Sequence, residues 1–178
     1  MKHIASEPPS SLAHRNSVGR ATSAADVWQQ PQYSWTLKGK TMTIRVIRDQ
    51  QALLRHAIRI GENSIYTDLA RDSGGEGSGP SPHDLYDAAL GACKALTVLL
   101  YAKRKGYPVN NIEVAVERDA SKERAGAYVL RAALTLTGDL SAAQQDELVR
   151  VAHKCPIERL MTEVKTEIST TLSLPDKR

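Results

Sequence analysis

Ser81-Pro82-His83-Asp84-Leu85-Tyr86-Asp87-Ala88-Ala89-Leu90-Gly91-Ala92-Cys93 opens a segment that runs on to Lys105 with no proline after Pro82. Ser81 is a good N-cap and Pro82 suits a first helical turn, where its missing N–H costs nothing. Leu85, Ala89, Ala92 or Cys93, Leu96 and Leu99 or Leu100 then recur at helical spacing, and Lys103, Arg104 and Lys105 suit the negative end of a helix dipole. Gly106-Tyr107-Pro108 stops the segment. Small and apolar groups crowd its middle (Ala88, Ala89, Leu90, Gly91, Ala92, Ala95), which predicts a long central helix buried on most sides. The rest of the chain has to be arranged around it.

Upstream, Met42, Ile44 and Val46 continue an alternation that starts at Trp35 and Leu37, as a half-buried strand requires. Ala57 to Ile60 and Ser64 to Tyr66 follow across Gly61-Glu62-Asn63, so the three read as an antiparallel meander. Residues 72–82, rich in Gly, Ser and Pro, lead into the helix either as a mobile loop beside a site or as a plain linker. Downstream, Ile112 to Glu117 and Tyr128 to Leu136 alternate on either side of a polar Ser121 to Gly126 turn, which predicts a hairpin. Ser141 and Gln144 form the sequence pattern of a capping box ahead of a second helix ending at Cys155-Pro156. A turn through Ile157 to Met161 leads to a β-branched stretch, Val164 to Leu172, suited to a closing strand. The class is α+β. Residues 1–32 lack apolar periodicity and read as a tail, with residues 33–178 forming one domain.

The composition bounds the function. With 178 residues, 41% of them apolar, the chain can bury one ordinary core. Its 24 basic and 20 acidic residues give a net charge of +4 with the signs interspersed, which offers no basic surface for nucleic acid. No continuous apolar run approaches the roughly 20 residues that cross a bilayer, and the start has no hydrophobic signal segment. The expectation is a cytoplasmic enzyme without membrane or nucleic-acid partners.

Only two cysteines occur, Cys93 and Cys155. Two thiols brought together can carry a complete redox cycle, because sulfur is both nucleophilic and reversibly oxidisable. Each also has a plain explanation: Cys93 as a small hydrophobe inside a helix, Cys155 as a helix-end residue packed under Pro156. Residue types alone leave that choice open.

Several ordered motifs go further. Gly74 to Leu85 with its Gly79-Pro80-Ser81-Pro82, then Ala88 to Cys93, Tyr101 to Gly106, Gly138-Asp139-Leu140, and Ala152-His153-Lys154-Cys155-Pro156 together resemble the OsmC/Ohr family of osmotically inducible and organic-hydroperoxide-resistance proteins. The likeness is strongest to the OsmC-like branch and spans about residues 55–172. It implies an OsmC-like fold, with antiparallel sheets around a central helix, and an intertwined homodimer. It also implies a peroxidatic Cys93 and a resolving Cys155 that reduce organic hydroperoxides to alcohols in oxidative stress defence. No cofactor is implied, only an external dithiol reductant of lipoyl or thioredoxin type.

The same resemblance implies an Arg near the reactive thiol, held by a carboxylate at the start of the central helix. Arg55 is the first choice by rough register, Arg59 the second, with Arg48 and Arg71 behind. The hydroperoxidases carry Glu ten residues before the first cysteine, where this chain has His83; Asp84, one residue on, matches the acid of the Gly-Pro-Ser-Pro branch. Adjacent helical positions point about 100° apart, so His83 and Asp84 are alternative candidates for the role. Two other readings compete: a zinc site of Cys93, Cys155, His83 and His153, and a scaffold that binds a small hydrophobic ligand.

Overall fold

The computed structural model describes residues 42–174, so the expectations for residues 1–32, Trp35 and Leu37 lie outside the described residues. Strands β1 (Ile44–Arg48), β2 (His56–Ile60) and β3 (Asn63–Thr67) form the predicted meander, in the order β1-β2-β3. Ile44 pairs with Ile60, and Ile58 with Ile65.

The glycine-rich segment that follows is neither loose nor a plain linker. Asp68, only 3% exposed, accepts hydrogen bonds from the amides of Leu69 (2.8 Å), Glu76 (3.2 Å) and Ser78 (3.1 Å) and from the Ser78 hydroxyl (2.7 Å). A buried carboxylate satisfies its acceptors this way, and the loop wraps around it. The Ser78 hydroxyl and amide hold the Asp68 carboxyl down at about 2, against an ordinary 3.8. Because the folded-state value is the lower one, this contribution to stability is present above about pH 4 and is lost as the pH falls towards 2. Asp68→Ala should therefore free residues 69–80, read as several-fold faster proteolytic nicking of that loop at neutral pH, with little difference from the wild type once both are near pH 2.

Helix α1 (Pro82–Lys105) begins with the expected cap. Ser81 Oγ accepts from the Asp84 amide (3.2 Å), and the Asp84 carboxylate accepts from the Ser81 amide (2.8 Å). It ends at Gly106, whose φ of +69° is left-handed and whose amide reaches back to the Ala102 and Lys103 carbonyls. The buried face differs from the one expected. Asp87, Leu90, Gly91, Lys94, Thr97, Val98, Tyr101 and Ala102 point inward, whereas Ala88, Ala92, Leu96 and Leu99 are exposed. The helix is apolar nearly all round, so periodicity alone could not choose its inner face. By length and composition it could cross a membrane, with a mean hydropathy of 1.3 over its best window, yet 44% of that window is buried inside the fold.

Strands β4 (Val109–Asp119) and β5 (Val129–Gly138) make the predicted hairpin, with Val114 opposite Leu134 and Val116 opposite Ala132. Helix α1 lies on β4 at Gly91, where a Cβ would stand 3.1 Å from Val116 Cγ2; the missing side chain permits the close approach. Helix α2 (Ala142–Ala152) carries the Ser141–Gln144 capping box. Leu148, Val151 and Ala152 of α2 pack with Leu90, Val98, Tyr101 and Ala102 of α1 to form the core.

Two expectations are corrected at the C-terminal end. The segment after Cys155 is a short helix, α3 (Pro156–Thr162), rather than a turn, with Pro156 in the first-turn position that favours helix. Residues 164–172 form no strand. A strand exists only by pairing, and among the described residues this segment finds no edge; Ile168 and Leu172 stand 86% and 85% exposed.

Candidate active site

The two cysteines meet. Cys93 lies midway along α1 and is half-buried, whereas Cys155, at the N-cap of α3, is fully buried. The Cys155 thiol hydrogen-bonds to the Cys93 side chain. Burial first, and that bond second, push the Cys155 thiol up to about 11; the Glu158 and Ile157 amides act in the opposite direction, short of a full side-chain cap. The result is one thiol reachable from outside and one kept protonated behind it.

Lys94, the neighbour of Cys93, is 5% exposed. Its ammonium donates to the Ala152 carbonyl (3.2 Å) and forms an ion pair with Glu158. His153 Nδ1 lies 3.6 Å from the other oxygen of Glu158. Lys94 and Glu158 also line one side of a cavity of about 610 Å3, whose other walls include Leu90, Tyr128, Leu134, Val149 and Met161.

At the start of α1 the carboxylates are occupied. Asp84 completes the cap and pairs with Arg118. Arg118 Nε also reaches Asp87 at 2.9 Å, and the Tyr128 hydroxyl donates to Asp87 at 2.9 Å. Ser81 and then Arg118 hold the Asp84 carboxyl down at about 2. This cluster closes a groove of about 470 Å3 along Ala88, Gly91 and Ala92, the residues leading up to Cys93.

The remaining candidates lie in other contacts. Arg55 pairs with Asp49 (2.7 Å) and stacks on Tyr66, 5.2 Å from the ring centre. Arg59 lies opposite Ser64 in the sheet. His83 Nε2 lies 3.0 Å from Glu123 Oε1 at the hairpin tip. The four-residue zinc set is not assembled: among the described residues no group of three or more His, Cys, Asp or Glu is placed to hold a metal ion.

The family model described as OsmC-like protein matches residues 75–170, a stretch containing both cysteines, Lys94, Arg118 and Glu158. The chain belongs to the OsmC-like family. Solved structures agree on the fold. A Psychrobacter arcticus protein provisionally described as an osmotic stress induced and detoxification response protein is 22% identical, with a TM-score of 0.59 over 70% of this chain and 90% of that one. An OsmC-like protein from Mycoplasma pneumoniae is 17% identical, with a TM-score of 0.57 over 71% and 90%. The organic hydroperoxide resistance protein OsmC from Legionella pneumophila is 21% identical, with a TM-score of 0.51 over 70% and 90%. No match is found among curated protein sequences.

Within this OsmC-like chain, sequence reasoning singled out the thiols and missed two cations: Lys94, next to Cys93 in the chain, and Arg118, which pairs with Asp84 and Asp87. Lys94 carried a signal: a lysine in the middle of an apolar helix has to find a buried partner or a way out to water. Arg118 carried none, as one charge among several on an alternating strand.

Proposed function

We propose that this OsmC-like protein is a thiol-dependent peroxidase acting on organic hydroperoxides, with a role in oxidative stress defence in the cytoplasm. The contact between Cys93 and Cys155, far apart in the chain, carries the reading. The half-buried thiol is the one a peroxide can reach, so Cys93 attacks. Its thiolate sulfur takes the terminal peroxide oxygen, the O–O bond breaks, and the departing alkoxide takes up a proton to become an alcohol. Cys93, oxidised by two electrons, is then a sulfenic acid. The Cys155 sulfur attacks it, and the Cys155 proton leaves with the displaced hydroxide as water. An external dithiol, of lipoyl or thioredoxin type, reduces the resulting disulfide by exchange and is itself oxidised. The cycle draws on no bound cofactor.

A homodimer fits the exposed surfaces. Ile44, Val46, Ile65 and Tyr66 of the first sheet, Leu96 and Leu99 of α1, and Ile168 and Leu172 beyond α3 all face outward in a single chain. Apolar surface of this extent favours a second copy.

The test is mass spectrometry of the protein after one equivalent of cumene hydroperoxide. The expected product is a peptide pair joined through Cys93 and Cys155. Free thiols with the peroxide unconsumed would transfer the site to a second reading, binding of a small hydrophobic ligand, which the 610 Å3 cavity favours.

A further inference from the structure

We propose that Lys94 is a positioning residue for Cys155, holding the turn that carries this thiol against the helix that carries Cys93. The inference builds on the two-thiol cycle above and assigns a role to a side chain that cycle does not use. Ala152 and Glu158 lie three residues on either side of Cys155. The Lys94 ammonium grips both, through the Ala152 carbonyl at 3.2 Å and the Glu158 carboxylate. The Ala152 carbonyl also accepts from the Cys155 amide at 3.4 Å, so one oxygen is shared by the lysine and the cysteine backbone. Two links therefore run in parallel between α1 and the α2–α3 turn: Cys93 to Cys155, and Lys94 to the residues flanking it.

The chemistry of each partner favours the grip. Ala152 ends α2, where carbonyls lack helical partners and the dipole favours a cation. Glu158 supplies the opposite charge that a buried ammonium requires. With the turn tethered, the two sulfurs stay within bonding reach, and closing the disulfide requires little further ordering of the chain.

The test is the equilibrium between dithiol and disulfide in glutathione buffers, measured for the full chain and for Lys94→Met, Lys94→Arg and Glu158→Gln, alongside their melting temperatures. In Lys94→Met the equilibrium constant for forming the Cys93–Cys155 bond should fall by about tenfold, a potential about 30 mV less negative for this two-electron couple. Lys94→Arg, which keeps a donor for both partners, should stay within about threefold of the wild type, and Glu158→Gln should shift in the same direction as Lys94→Met by a smaller factor. An unchanged constant in Lys94→Met, or equal loss in Lys94→Met and Lys94→Arg, overturns the proposal. If Lys94→Met does not fold, Glu158→Gln decides, and an unchanged constant there overturns it. The readout needs no peroxide: a wild type oxidised by glutathione disulfide but not by hydroperoxide would defeat the peroxidase reading and leave the Lys94 measurement intact.

Discussion

Exchange of Cys93 for Ser should abolish the proposed hydroperoxide consumption, lowering the rate by about a thousandfold or more, because a hydroxyl at neutral pH is neither ionised nor readily oxidised. Exchange of Cys155 for Ser should give a different result: a single slow turnover per chain, then a stall, with Cys93 trapped as a sulfenic acid that a dimedone probe labels. The asymmetry follows from where the two sulfurs sit. Cys93 is half-buried and Cys155 is sealed, so a peroxide entering the site would meet the first and not the second. Burial and the bond to Cys93 hold Cys155 as a thiol, with its pKa at about 11, which suits a residue that acts only after its neighbour is oxidised. Peroxide consumption assays on both variants, followed by intact mass measurement, check the result. Comparable rates in the wild type and Cys93→Ser would remove the chemistry from this site altogether.

The long helix, the meander, the hairpin, the Ser81 cap and the Ser141–Gln144 capping box were legible in the sequence because each rests on local rules: alternation, turn residues, a cap and its reciprocal side chain. The inner face of α1 was not. Apolar groups surround that helix, and the face turned inward is the one that includes Asp87, Lys94 and Thr97, polar residues that hydropathy would place outside. Asp87 is matched by Tyr128 and Arg118, and Lys94 by Ala152 and Glu158. Those partners come from β4, the residue just before β5 and the α2–α3 region, and no spacing within α1 announces them. The C-terminal stretch fails for the opposite reason. Its β-branched residues fit a strand, but a strand needs an edge, and residues 164–172 meet none within the described chain. Among the candidate site residues, the pairing of Cys93 with Cys155 came from motif resemblance rather than from residue types, whose plain explanations stood equally open. Asp84 was legible as an acid at the start of the helix, while its partner Arg118, distant in sequence, was not.

The largest stability effect should come from Tyr101, the largest fully buried side chain among the described residues. Its ring is out of contact with solvent, and its hydroxyl donates to Glu147 of α2, which also accepts from Tyr107 at 2.6 Å. Tyr101→Ala should cost about 3–5 kcal/mol, the range for deleting a buried aromatic ring. Tyr101→Phe keeps the ring and should cost about 1–2 kcal/mol, because only a bond to a charged acceptor is lost and Glu147 retains Tyr107. The two phenols hold the Glu147 carboxyl below its ordinary 4.5, so its ionised form contributes stability above that pH and the contribution is lost as the pH falls. Burial, and then Glu147, push the Tyr101 hydroxyl above its ordinary 10; its neutral form therefore contributes fully below pH 10, and that contribution is lost as the pH rises through the folded-state value. Urea denaturation of the wild type and Tyr101→Phe at about pH 7 and at about pH 3.5 separates ring from hydroxyl, since the gap between them should narrow at the lower pH. An equal gap at both would mean that the hydroxyl acts through packing alone, and that the Glu147 bond adds nothing to the stability of the fold.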